Sequence, residues 1–296
     1  MSFAAPPGLT SMETRVLVTP DVDLTYDVFG PLPPADGRPI LLAVGQPMAA
    51  DGFHVLAGLL PERTVVAYDP RGLGRSVRKD GGTTFDPEVQ AEDLHALIAE
   101  LGGPVEVFGS SGGAVTALAL VAAHPGDVIT LVAHEPPLIP VTPDAANGFR
   151  ARAAVTEAYE AKGWGAGMAA FIAMTSWAGE YTEEYLAQPA PDPAQFGMPT
   201  EDDGKRDDPL LSDLSWAVSG YEPDVDALRN ASSRVVIAVG EESAGTFTDR
   251  TSRAAAALLG QEVAVFPSHH GGFLDGSFGY AGKPEEFAVR LREVLG

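Results

Sequence analysis

Cysteine is absent from the 296-residue chain, which excludes disulfides and thiolate metal centres. Basic residues are scarce, with 19 Lys and Arg against 41 Asp and Glu and a formal net charge of −22. So acidic a surface repels phosphate backbones and anionic lipid, which argues against nucleic acid or membrane as a partner; at minimum it keeps the protein in solution. No apolar run is long enough to span a bilayer, and Met1 to Thr10 has neither a basic n-region nor an apolar h-region. A cytoplasmic location is therefore the default expectation. No Gly-x-Gly-x-x-Gly opens a first βα unit and no His-Glu-x-x-His occurs, so neither a dinucleotide nor a metal is indicated and no cofactor is expected.

What is present is ordinary globular material: 45% apolar and 20% charged residues, in a chain long enough for one large domain or two smaller ones. Short apolar, β-branched segments recur at Ile40–Val44, Thr64–Tyr68, Val105–Phe108, Val128–Ala133, Arg234–Val239 and Val263–Phe266, each running into Gly, Pro, Asp or another polar residue. Nearly continuous apolar strands are what a sheet covered on both faces requires. Helical patterns lie between them, at Pro87–Leu101 (Val89, Leu94, Leu97, Ile98 and Leu101 on one face), Gly113–His124, Thr251–Leu259 and Pro284–Leu295. This alternation predicts an α/β fold with a mostly parallel open sheet flanked by helices, and Arg15–Phe29 reads as an antiparallel hairpin at its edge. From Leu138 to Asn230 no buried-type strand occurs; Ala145–Lys162 and Ala166–Ala178 look helical and 188–209 reads as irregular loop. The division expected is a core of 1–137 and 231–296 with a helical cap, 138–230, over the carboxyl edge of the sheet where ligands bind in open α/β folds. A separately folding domain is the alternative.

Gly109-Ser110-Ser111-Gly112-Gly113 joins a predicted strand directly to a predicted helix. A turn that sharp strains its central residue and needs small neighbours; it also lifts the hydroxyl above the sheet and sets the next N–H at a helix N-terminus. Ser111 is the expected nucleophile, with Ser110 at the x position pointing elsewhere. The Gly112 N–H is one expected oxyanion donor. Val44-Gly45-Gln46-Pro47 follows the first buried strand at the same edge, and the Gln46 N–H is the candidate second donor, with Met48 behind it.

After the second buried strand comes Asp69-Pro70-Arg71-Gly72-Leu73-Gly74-Arg75-Ser76. Asp-x-Arg-Gly-x-Gly-x-Ser is a recurrent structural loop of the α/β-hydrolase family, and with the Ser111 elbow the chain resembles that family from about Arg15 to Gly296, the cap aside. The resemblance implies an internal ion pair between Asp69 and Arg71. It also implies a catalytic His in the loop after the last strand. There, Pro267-Ser268-His269-His270-Gly271-Gly272-Phe273 matches the family's His-x-Gly-Phe pattern at His270, with His269 one residue out of step. Of the other histidines, His54, His95 and His124 fall in predicted helices and read as solvated or core-satisfied, and His134 ends a strand.

The acid departs from the commoner pattern. Most members carry Asp three residues past a Gly after the strand equivalent to Arg234–Val239; here Gly240-Glu241-Glu242-Ser243 puts Ser there. Glu241 or Glu242 is one substitute. The other is Glu135, at the end of the strand that follows the nucleophile helix; Ser111 followed 24 residues later by Glu135 resembles the zearalenone-lactonase branch, and Glu135 is the expectation adopted. A Ser elbow argues against epoxide opening and dehalogenation, which use Asp there, and Ser with His and Glu implies acyl transfer from a carboxylic ester or lactone. Phe149, Tyr159, Trp164, Met168, Phe171, Met174 and Trp177 make the cap region apolar, suiting a small apolar substrate, although helix packing also accounts for them. Carbon–carbon bond hydrolysis, perhydrolysis, a lyase step and a non-catalytic binding role are the alternatives. The expected partner is a small molecule, and a homodimer is left open.

Overall fold

A computed structural model describes residues 12–296; the leader reading of Met1–Thr10 lies outside the described residues. Its strands are β1 (Met12–Val18), β2 (Val22–Phe29), β3 (Leu41–Val44), β4 (Val65–Tyr68), β5 (Val77–Arg78), β6 (Val105–Ser110), β7 (Val128–His134), β8 (Arg234–Gly240) and β9 (Ala264–Phe266). They form one sheet in the order β1-β2-β4-β3-β6-β7-β8-β9, with β5 attached to β2. From β4 to β9 every pairing is parallel, and β1–β2 is the antiparallel edge hairpin. The open, mostly parallel sheet expected from the alternation of elements is therefore what is found. β5, two residues long, carries no periodicity that could have announced it.

Side-chain alternation explains why the parallel strands are apolar throughout. In β3, Leu42 and Val44 join the core beneath the helices Pro87–Leu101 and Gly112–Ala123, while Leu41 and Ala43 join a second core beneath Pro284–Leu295. Each fully buried Leu contributes about 1.5–3 kcal/mol relative to exposure. The one charge in the middle of this pattern, Glu106 in β6, is buried against the guanidinium of Arg63. The helix Pro87–Leu101 has the expected bounds: the Asp86 carboxylate accepts the Glu88 and Val89 N–H groups at its start, and Gly102, at φ 94°, ends it. Val89, placed on its inner face by pattern, is 39% exposed. The helix before β9 starts at Phe247, a turn earlier than the pattern suggested, because Phe247 itself is buried.

The Asp69–Arg71 ion pair is corrected. Arg71 forks onto Asp93 with both contacts at 2.6 Å and also reaches Asp80. Asp69 instead accepts the Ala50 N–H at 2.9 Å and both the N–H and the side chain of Arg75 at 2.8 and 2.7 Å. Each side chain finds its own partners, Arg71 on the helix Pro87–Leu101 and Asp69 on the Ala50 backbone and on Arg75.

Between β7 and β8 the chain leaves the sheet. The helices Ala145–Lys162 and Trp164–Ser176 pack together, followed by shorter turns at Glu183–Leu186, Trp216–Ser219 and Val225–Asn230. All seven apolar residues singled out in this stretch belong to one hydrophobic cluster, which also takes in Ile139 and Phe247.

Candidate active site

Strand order changes direction at β3: β4 lies on one side and β6 on the other. Such a switch point opens a crevice at the carboxyl ends of the strands, and the register fills it. Val44 is level with Gly109, Ser110 with His134, His134 with Ala238 and Gly240 with Phe266. The residues just beyond these pairs are Gln46, Ser111, Glu135 and, after a short loop, His270.

Ser111 lies between β6 and the helix Gly112–Ala123 with φ 56° and ψ −127°. Among the described residues the non-glycine residues at positive φ are Ser111, Glu135 and Ser268. Left-handed backbone of this kind costs on the order of 1–3 kcal/mol per residue and collects where function requires it; here two candidate site residues and the residue two before His270 carry it. The Ser111 N–H donates to His134 O at 2.9 Å, tying the turn to β7. A Cβ on Gly113 would lie 2.1 Å from Val44 O, so only glycine lets the helix start so close to β3. Ser110 is buried while Ser111 is partly exposed. Beyond β3, Gln46 runs so near Gly112 that a Cβ there would meet Gln46 O at 2.7 Å. The structure thus puts Gln46 and Gly112, the residues of the two expected oxyanion donors, next to each other, and a helix's first N–H groups have no partner within the helix.

Glu135 is fully buried, its carboxylate accepting from three elements. Gly240 N–H donates to Oε1 at 2.8 Å, Thr248 Oγ1 to Oε2 at 2.6 Å, and His270 Nδ1 lies 2.7 Å from Oε2. Burial pushes the carboxyl up, but the hydrogen bond and charge of His270 outweigh it and hold the group well below the ordinary carboxylate range. Ser243, at the position where an Asp was looked for, is buried close to the same carboxylate and is the smallest of the influences that lower its pKa. The His270 loop is anchored by Phe273, which stacks on Phe53 at 5.3 Å and meets Phe108 edge-on at 5.4 Å.

The rival candidates go elsewhere. His269 faces Ala281 O at 2.9 Å through Nε2 and stacks on Tyr280 at 4.1 Å. Glu241 and Glu242, both about half exposed, pair with Lys283. The structure brings Ser111, Glu135, Gln46 and Gly112 to the carboxyl edge of neighbouring strands, with His270 on Glu135.

His134, left ambiguous by its position, is fully buried between Phe108, Phe266 and Phe287, and neither ring nitrogen has a hydrogen-bond partner. Burial pushes its pKa from 6.5 to about 4. A base depressed in the folded state costs stability as the unfolded chain protonates, so the loss begins below pH 6.5 and continues down to about pH 4. The corresponding loss from Glu135 comes only below its ordinary 4.5. His134→Phe, which suits an aromatic cage, is expected to hold stability at neutral pH and remove a loss of the order of 1–3 kcal/mol between pH 6 and 4.5. Urea unfolding at the two pH values measures it; an unchanged pH dependence in the variant would show that His134 does not titrate there.

No helix among the described residues is long and apolar enough to cross a membrane. The model of the alpha/beta hydrolase family matches residues 40–288. A Bacillus subtilis (strain 168) protein described as the uncharacterized hydrolase YraK is 37% identical over 131 residues, 44% of this chain and 46% of that one. The bifunctional esterase/perhydrolase DCH of Acinetobacter calcoaceticus is 33% identical over 135 residues, 43% of this chain and 47% of that one. Each match therefore spans less than half of the relative's length. The crystal structure of a proline iminopeptidase from Mycobacterium smegmatis superposes with a TM-score of 0.61 at 19% identity, over 96% of this chain and 97% of that one; at that identity the likeness is one of fold.

Proposed function

The chain belongs to the alpha/beta hydrolase family, and from that premise we propose that it is a serine hydrolase acting on a carboxylic ester or lactone of a small apolar molecule. The observation that carries the reading is the 2.7 Å contact between His270 Nδ1 and the buried Glu135 carboxylate, beside a serine held in a strained strand-to-helix turn. With Nδ1–H committed to Glu135, Nε2 is left as the basic nitrogen. Ser111 Oγ attacks the carbonyl carbon while its proton passes to Nε2. The oxyanion is held by the Gln46 and Gly112 N–H groups. Collapse of the tetrahedral adduct breaks the carbonyl–oxygen bond, His270 returns the proton to the departing alcohol, and an acyl group remains on Ser111. Water, deprotonated by His270, then releases the acid. In this reading the excursion 138–230 is a cap over the crevice, and the half-buried Phe149, Trp164, Phe171 and Trp177 supply its apolar surface.

The relative described as an esterase and perhydrolase supports acyl transfer and favours one extension: hydrogen peroxide in place of water would release a peracid from the same acyl-enzyme. Lactones enter the reading because the Ser111–Glu135 spacing resembles that of the zearalenone-lactonase branch. A panel of p-nitrophenyl esters of rising chain length and of lactones, run with a fluorophosphonate probe, tests it. Ester or lactone turnover with the probe mapped to Ser111 is expected. Absence of both turnover and label would overturn it in favour of a binding role.

A further inference from the structure

A second group of chemistry-bearing residues lies away from the crevice. His124 caps the C-terminal end of the helix Gly112–Ala123, whose start holds the nucleophile; twelve residues at about 1.5 Å each put the two ends roughly 18 Å apart. Glu92 and His95 stand three residues apart on the helix Pro87–Leu101, and His124 and Asp127 three apart in the facing turn. The two pairs are crossed. His95 Nδ1 lies 2.6 Å from Asp127 Oδ2, and His124 Nε2 lies 2.8 Å from Glu92 Oε1. Donor atoms of His95, His124 and Asp127 fall within 4.8 Å of one another, the group that could hold a metal ion among the described residues.

We propose that His95, His124 and Asp127, with Glu92 as a fourth donor or as the hydrogen-bond partner of a ligating ring, form a surface site for a divalent transition-metal ion of the zinc class. Two imidazoles and two carboxylates are the mixed nitrogen–oxygen set that zinc and its neighbours prefer over calcium or magnesium. The two carboxylates match the charge of a divalent cation. A carboxylate on the far nitrogen of a ligating imidazole is the usual way such a ring is oriented.

The backbone beneath the site is held in place. His124 N–H donates to Leu120 O at 2.7 Å, Asp127 N–H to His124 O at 3.1 Å, and Val105 N–H to Asp127 O at 2.9 Å. Ser232 and Ser233 donate to Pro125 O at 3.0 and 2.9 Å. Only side chains therefore need to move, and one must. The imidazoles are stacked at 3.9 Å with 10° between their planes, so their in-plane lone pairs run side by side and do not meet. Tetrahedral bonds of about 2.0–2.1 Å put ligand atoms roughly 3.4 Å apart. His95, whose side chain is 44% exposed, is free to turn into that geometry. Bound metal would then tie the far end of the nucleophile helix to its neighbour.

The test uses the full chain, stripped with EDTA and titrated with zinc chloride in a calorimeter. The expected result is one zinc per chain at micromolar affinity, at least about tenfold weaker in His95→Ala and in His124→Ala. Zinc should raise the Tm of the parent protein and not that of the double variant. Affinity should fall in acid as protons displace the metal. Both variants should retain hydrolase turnover, which also shows that they fold. On the unaltered protein, substoichiometric copper(II) should broaden the NMR signals of His95 and His124 before those of His54, His269 and His270. Absence of binding, equal binding by the double variant, or broadening that begins at His269 and His270 would each overturn the proposal.

Discussion

Ser111→Ala is expected to lower ester turnover by about 10⁴- to 10⁶-fold, to the level that binding and oxyanion donors alone sustain, and to abolish fluorophosphonate labelling while leaving the fold intact. Ala keeps the Cβ and the backbone, so the Gly112 and Gln46 N–H groups stay where they are and only the attacking oxygen goes. The strained conformation, φ 56° and ψ −127°, gives the position a second readout. Glycine adopts positive φ without a steric penalty, so Ser111→Gly should be equally inactive yet gain about 1 kcal/mol, visible as a higher Tm. Ser110→Ala should leave turnover near normal, because Ser110 is buried in strand register with His134. A Ser111→Ala protein with more than a few per cent of parent activity would remove Ser111 from the nucleophile role.

The parts of this architecture that could be read along the chain are those whose causes are local. The helix Pro87–Leu101 is bounded by Asp86, Pro87 and Gly102, and Pro284–Leu295 by its own proline; in both, residues at the ends announce the ends. The elbow is legible because a strand, three glycines and a helix constrain one another within about ten residues. Partners set by long-range register are not legible in this way. Whether Asp69 meets Arg71 or Arg75 depends on how a loop folds over β2 and the helix beyond it. The short helices Glu183–Leu186, Trp216–Ser219 and Val225–Asn230 are below the length that stands without tertiary support, so no periodicity marks them. The crossed pairs Glu92–His124 and His95–Asp127 are each separated by 32 residues, and only the packing of two helix ends joins them.

Glu135→Gln is expected to cost about 10⁴-fold in turnover, and the hydrogen-bond inventory of the site shows why so small a change should matter. Glu135 accepts three times, from Gly240 N–H, Thr248 Oγ1 and His270 Nδ1. A carboxamide has one accepting oxygen and one donating nitrogen. If the amide nitrogen faces His270, Nδ1 must become the acceptor and the ring proton moves to Nε2, where it blocks removal of the Ser111 proton. If the amide is flipped, its NH₂ faces the Gly240 N–H, donor against donor in a buried place, at about 1–3 kcal/mol. Neither arrangement leaves a charge to stabilise the imidazolium. The loss should fall on kcat, with KM little changed, because Glu135 is fully buried behind His270 and out of reach of the substrate. Glu242→Gln is the matched control: it weakens a surface pair with Lys283 at 2.6 Å and should leave turnover within about twofold of the parent, as exposed pairs contribute little. Near-normal turnover in Glu135→Gln beside an inactive Glu242→Gln would transfer the acid's role across the crevice, to the loop after β8. The carboxylate that meets His270 would then be a structural acceptor, fixing the strained end of β7 against Gly240 and Thr248.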